Sequence, residues 1–141
     1  MPKKENVITE DKFVVDIDSF EDSGLSLNFL IADKFFDPSE IKDLKPLSIK
    51  ELIKKVSDLE KDIDEEIDDF LLKKFVLPGT SLIEAVFRIL ILNNNKPMTV
   101  SEMEAKLKIA WASVIYLKSY TNETILEMLN SQNEYFIIKQ D

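Results

Sequence analysis

The sequence predicts a mainly α protein with a small β-sheet, an α+β fold, in a chain of 141 residues. Three observations lead there. Helix-start signatures recur: Ser48 with Glu51, Ser81 with Glu84 and Thr99 with Glu102 each place Glu three residues after Ser or Thr. That spacing lets side chain and backbone satisfy each other's free polar groups at a helix N-terminus. Apolar residues then return at three- and four-residue intervals, as they do on a helix with one buried face. Strand-like runs are few and short: "KFVVDID", "LSLNFLIA" and "EYFIIK".

Residues 1–11 read as a flexible N-terminus. Phe13, Val15 and Ile17 then alternate with polar neighbours, and so do Leu25, Leu27, Phe29 and Ile31. Two period-two runs around the Gly-bearing loop "SFEDSG" predict a β-hairpin, with a helix over 26–35 as the rival reading. In "DPSEIKDL" Asp37 is the cap, Pro38 suits the first helical position and Glu40 falls in the first turn. Pro46 ends this short helix at Lys45. The box Ser48/Glu51 opens the next one, with a stripe at 49, 52, 53, 56 and 59.

The stripe continues through Ile63, Ile67, Phe70, Leu71 and Phe75, but "EKDIDEEIDD" puts like charges four residues apart. Each such pair costs a continuous helix about 0.2–0.5 kcal/mol. The same acids are favourable at the start of a new helix near Asp62, and Lys73 and Lys74 at its end. The segment is therefore one bent helix over 49–76 or two helices meeting near 61. A coiled coil fails at Glu66, where a heptad core position is charged. Calcium loops of the EF-hand type fail too. Counting from Asp62 or Asp16, the sixth residue is Ile67 or Glu21 rather than Gly, and the twelfth is Lys73 or Leu27.

"VLPGT" punctuates the chain. Residues 1–78 hold 12 Lys against 20 Asp and Glu, whereas 79–141 hold 6 Lys and Arg against 7. The expected organisation is an acidic hairpin-plus-helices region over 12–78 and a second region over 79–141. In the latter, Leu82, Val86, Ile89 and Leu90 form a stripe, and Asn93–Asn95 suit the left-handed turn that closes a helix. Thr99 caps a second helix with the stripe Val100, Met103, Leu107 and Trp111. "IAWASVIYLKSY" extends that helix or adds a strand or a short helix. Thr121 caps a third helix with Ile125, Leu126 and Leu129 inward, and "EYFIIK" closes as a strand.

The segments "SLIEAVFRIL", "NKPMTVSEM", "NETILEML" and "YFII" resemble a winged helix-turn-helix, and in particular the HARE-HTH group, which includes the N-terminal domain of the bacterial RNA polymerase delta subunit. The likeness covers residues 79–141 and implies a winged-helix-like C-terminal half with a role near transcription or nucleic-acid machinery. A wing needs two strands and only one follows the last helix, so the N-terminal hairpin is a candidate to complete the sheet.

Composition narrows the chemistry. The chain has no His and no Cys, and Gly only at 24 and 79. Those absences remove most zinc sites, Ser-His and Cys-His pairs, and glycine-rich phosphate loops. The expectation is no enzyme, no cofactor and no metal. No apolar run reaches the roughly 18 residues of a membrane span, and the polar N-terminus lacks a signal-peptide core. A soluble, cytoplasmic protein is expected.

The expected function is a non-enzymatic protein-interaction or regulatory module whose acidic half docks on a basic partner or acts electrostatically near nucleic acid. Trp111, Tyr116 and Tyr120 are candidate interface anchors, since large aromatics dominate binding hot spots. Ile63, Ile67 and Phe70 are candidates for self-association into a homodimer. For Trp111 a core position on its helical stripe competes with the interface role. The alternative is a sequence-specific DNA-binding regulator using Lys106, Lys108 and Lys118. Against it, "TNETILEMLNSQNEYFII" has three Glu and no Lys or Arg in the place of a recognition helix.

Overall fold

The computed structural model describes residues 11–59, 67, 69–112, 121–131 and 133–140. The candidates Ile63, Tyr116, Tyr120 and Lys118 lie outside the described residues. So do residues 1–10, the helix junction near 61 and all of "IAWASVIYLKSY" after Ala112. The chain is mainly α with a small antiparallel sheet, as expected.

The N-terminal hairpin does not form. β1 (Lys12–Val15) is followed by α1 (Ile17–Ser23) and α2 (Leu27–Phe35). Gly24, at φ +83°, closes α1 in the left-handed conformation that lacks a penalty only without Cβ. Ser26 then caps α2, its Oγ accepting from the Phe29 N–H at 3.1 Å. The misreading has a physical cause. Periods of 2 and 3.6 coincide at i and i+4, so Leu27 and Ile31 satisfy both. Ala32, also buried, belongs only to the helical stripe. A strand would have turned Phe29 inward; in α2 it is 63% exposed.

A 3₁₀ turn at Pro38–Glu40 leads into the short α3 (Ile41–Leu44), which stops before Pro46 as the sequence implies. α4 (Ile49–Ser57) has the predicted reciprocal cap. The Ser48 N–H donates to Glu51 Oε1 at 2.8 Å, and the Glu51 N–H donates to Ser48 Oγ at 3.2 Å. α4 closes at Ser57, and a separate helix, α5 (Asp69–Phe75), has Asp69 in its first turn and Lys73 and Lys74 in its last.

α6 (Leu82–Leu92) is the central helix. Beyond the predicted stripe it buries Ala85, Phe87, Ile91 and Leu92, so it is apolar nearly all round, as a helix packed on several sides must be. Asn94 and Asn95, at φ 60° and 54°, make the expected left-handed closure. β2 (Met98–Thr99) passes directly into α7 (Val100–Ala110), whose Thr99/Glu102 cap is reciprocal, with bonds of 2.8 and 3.1 Å. Val100, Met103, Leu107 and Trp111 are all buried. α8 (Asn122–Asn130) and β3 (Ile137–Lys139) complete the described elements.

The sheet order is β2-β1-β3, with β1 antiparallel to both neighbours. Phe13 faces Met98 and Lys139, while Val15 faces Ile137. Phe13, Val15, Met98 and Ile137 point into the core, and Val14 and Ile138 form a cross-strand pair on the other face. One continuous hydrophobic core includes residues from both sides of Pro78–Gly79, among them Phe20, Leu52, Leu72, Phe87, Leu90 and Met103.

Candidate functional site

Asparagine side chains take up backbone groups of the sheet at two places, beside β1 beyond the end of β2 and on the outer edge of β3. Asn95 Oδ1 accepts from the Val15 N–H at 2.9 Å, and its Nδ2 donates to the Val15 carbonyl at 3.0 Å. One carboxamide thus continues the ladder where β2 has run out. On the outer edge of β3, Asn133 Oδ1 accepts from the Ile137 N–H at 2.9 Å and Nδ2 donates to the Ile137 carbonyl at 3.0 Å. An exposed edge offers backbone groups to another chain. At Val15 and Ile137 those groups are already taken.

A polar clasp joins four parts of the fold. Glu84 Oε2, on α6, accepts from Lys34 Nζ on α2 at 3.1 Å and from Arg88 Nε and Nη2 at 2.9 and 2.7 Å. Arg88 Nη1 donates to the Phe75 carbonyl at the end of α5, and the Tyr135 hydroxyl reaches Glu84 Oε1 at 3.4 Å. This corrects the predicted capping box at Ser81. Ser81 Oγ accepts from the Glu84 N–H, but the Glu84 carboxylate is drawn to two cations rather than back to the cap. Burial pushes the Glu84 pKa up, yet the hydrogen bonds and charges of Lys34 and Arg88 outweigh it and hold the carboxyl below its ordinary value. Burial raises the Tyr135 pKa, against the opposing pull of Lys34. Only the four-residue spacing of Glu84 and Arg88 on one helix is legible in the sequence; Lys34 and Tyr135, about 50 residues away on either side, give no such signal.

The predicted interface anchors separate by burial. Trp111 is 2% exposed, and its Nε1–H donates to the Leu77 carbonyl at 3.0 Å. It ends the α7 stripe in the core, which withdraws it as a surface anchor. Ile67 is 5% exposed and is withdrawn for the same reason. Phe70 is 52% exposed on α5, with Lys74 Nζ 5.8 Å from its ring centroid. Of the DNA-contact candidates, Lys106 is half-buried on α7, and Lys108 is exposed with its Nζ 3.9 Å from Glu104. Glu123 and Glu127 are exposed on α8.

The surface feature missed by sequence lies between α2, α3 and α4. There a groove of about 290 Å³ has Ala32, Leu44 and Leu52 as its floor. Phe29 and Ile41 form its walls, and Ser26, Asn28 and Lys45 its rim. Leu25, 54% exposed, precedes the Ser26 cap of α2. The surrounding chain is acidic: residues 16–45 carry eight carboxylates and three lysines. One of those lysines, Lys34, is engaged by Glu84. A second cleft of about 330 Å³ lies between the end of α8 and β3, lined by Phe13, Leu129, Asn130, Phe136 and Ile138 among others.

No family model, curated protein or solved structure matches the chain. Among the described residues, no helix is long and apolar enough to cross a membrane.

Proposed function

We propose that this chain is a cytoplasmic, non-enzymatic protein-interaction or regulatory module on a winged-helix-like frame, a subunit or adaptor of transcription or other nucleic-acid machinery. The order of elements from α6 onward supports the frame: helix, short strand, two helices, strand. A winged helix then requires a further strand between the other two. β1 occupies that position, antiparallel to both. On this reading the wing is assembled from the two ends of the chain rather than from a hairpin.

The observation that carries the functional reading is the charge of α8, the element in the recognition-helix position. DNA affinity comes largely from Lys and Arg neutralising phosphates. α8 instead presents Glu123 and Glu127, and no Lys or Arg occurs anywhere in 121–138. A duplex laid along this face meets like charge, whereas a protein partner does not. The test is titration of a labelled duplex at low salt. The expected result is no tight binding. Tight, steeply salt-dependent binding that is abolished by Lys106→Glu, Lys108→Glu and Lys118→Glu together would overturn the reading in favour of a DNA-binding regulator.

A further inference from the structure

We propose that the groove between α2, α3 and α4 binds a small amphiphilic carboxylate, a short acyl chain ending in one anionic head. Most of its lining is apolar. Leu52, Leu44 and Ala32 make the floor, and Phe29 and Ile41 the walls. Phe29 stands more than half exposed, which leaves apolar surface for a ligand to cover. The volume, about 290 Å³, is at the lower end for small-molecule sites, which are mostly apolar with a few polar groups that orient the ligand.

The polar groups select the head. Among the described residues, Lys45 at the end of α3 is the one charged side chain lining the groove, and Ser26 and Asn28 are neutral. Lys45 makes no ion pair among the described residues. In a chain where 27 acids outnumber 18 bases, the groove is lined by a cation and by no described carboxylate. That suits an anion and opposes an ammonium. Physiological salt limits the reach of more distant carboxylates to about 8 Å, so the charge in contact with the ligand weighs most. One cation beside a volume of this size matches one head group and one chain, rather than the many charges of an acidic peptide.

The experiment uses the full chain, with sodium octanoate as the probe and amide chemical shifts and calorimetry as the readouts. Octan-1-ol and octylammonium are the controls for the head, hexanoate and acetate for the chain. Octanoate should shift the amides of Phe29, Ala32, Leu44, Lys45 and Leu52, and octylammonium should not. Removing two buried methylenes should make hexanoate about 15-fold weaker, and acetate should not bind measurably. Lys45→Met keeps the length of the side chain and removes its charge. It should weaken octanoate about fivefold, the upper range of an exposed ion pair, and leave octan-1-ol unchanged. Phe29→Ala should weaken octanoate and octan-1-ol alike, since it takes away an apolar wall. Lys45 and Phe29 are both exposed, so both variants should fold, as circular dichroism will check.

Amide shifts that are absent, or that fall in the cleft between α8 and β3 instead, overturn the proposal. So does octan-1-ol, octylammonium or hexanoate binding as tightly as octanoate, or an octanoate affinity that Lys45→Met leaves unchanged. A wild-type dimer in sedimentation that Phe29→Ala converts to monomer also overturns it, by giving the groove to a second copy of this chain. None of these outcomes bears on duplex binding, because the groove and α8 share no residue.

Discussion

Replacing Asn95 tests how the sheet is held to the helices. Its carboxamide makes two hydrogen bonds to the backbone of Val15, at 2.9 and 3.0 Å, and its own φ is 54°. Asn95→Ala removes both bonds and leaves the Val15 N–H and carbonyl without those partners. It also puts a residue without a local polar group into the left-handed region. The bonds are worth about 1 kcal/mol each, and the unpaired groups and the backbone conformation add to the loss, for a total of about 2–4 kcal/mol. For a chain of this length that lowers Tm by on the order of 10 °C. Asn95→Gly should recover the conformational part, about 1 kcal/mol, and not the hydrogen bonds. Urea denaturation gives the free energies, and hydrogen exchange at the Val15 amide reports the lost bond directly. An Asn95→Ala protein within about 0.5 kcal/mol of wild type, with the Val15 amide still protected, would refute the view that this side chain substitutes for a strand.

Three further outcomes follow from the same structure. Glu84→Gln should destabilise by about 1.5–3 kcal/mol, since Lys34 and Arg88 lose their charged partner. Because the Glu84 pKa is held below its ordinary 4.5, its contribution is complete above that value and fades as pH falls through the lowered one. Acid titration of wild type against Glu84→Gln should therefore show their difference shrinking below about pH 4.5; a constant gap would contradict the clasp. Trp111 is the sole Trp, so native fluorescence should be blue-shifted and resistant to iodide, and Trp111→Phe should cost about 1–2 kcal/mol through the bond to the Leu77 carbonyl. A red-shifted, readily quenched native emission would place the ring at the surface instead. Finally, Gly24→Ala should cost about 1 kcal/mol from its φ of +83° alone, as a Cβ there meets nothing within 4 Å. Gly79→Ala, equally unobstructed and outside the left-handed region, should be neutral or stabilising by up to about 1 kcal/mol; thermal melts that reverse this order would count against the backbone argument.

What the sequence made legible was local. Helix starts at Ser48 and Thr99, the stop before Pro46 and the left-handed Asn pair are set by neighbours within a turn, so spacing alone places them. The stripe through Val100, Met103 and Leu107 was equally plain. The reading failed where two periodicities coincide, in 25–35, and there Phe29 was assigned to the wrong side of the chain. It was silent where partners are distant. Nothing near Asn95 announces that its side chain will bond Val15, and nothing near Glu84 announces Lys34. Phe20 was read as a loop residue, yet its ring packs edge-on against Phe136 at 4.8 Å and lies 6.5 Å from Phe87. The groove beside Phe29 was hidden for the same combination of reasons: its wall was misassigned, and its floor comes from three separate helices.

The position of β1 explains why an acidic, helix-rich first half and a near-neutral second half share one core. β2 and β3 do not touch each other in the sheet; each pairs only with β1. Without residues 12–15 the second half would retain two short strands with no strand between them, and Met98 and Ile137 would lose the buried neighbours Phe13 and Val15. The isolated strand pair is already marginal in water, and separate single strands are less than that. The aromatic contacts of Phe20 and the Lys34 salt bridge to Glu84 then fasten the helices that follow β1 onto α6 and the turn before β3. Folding of the second half is thereby coupled to the segment that carries the groove beside Phe29.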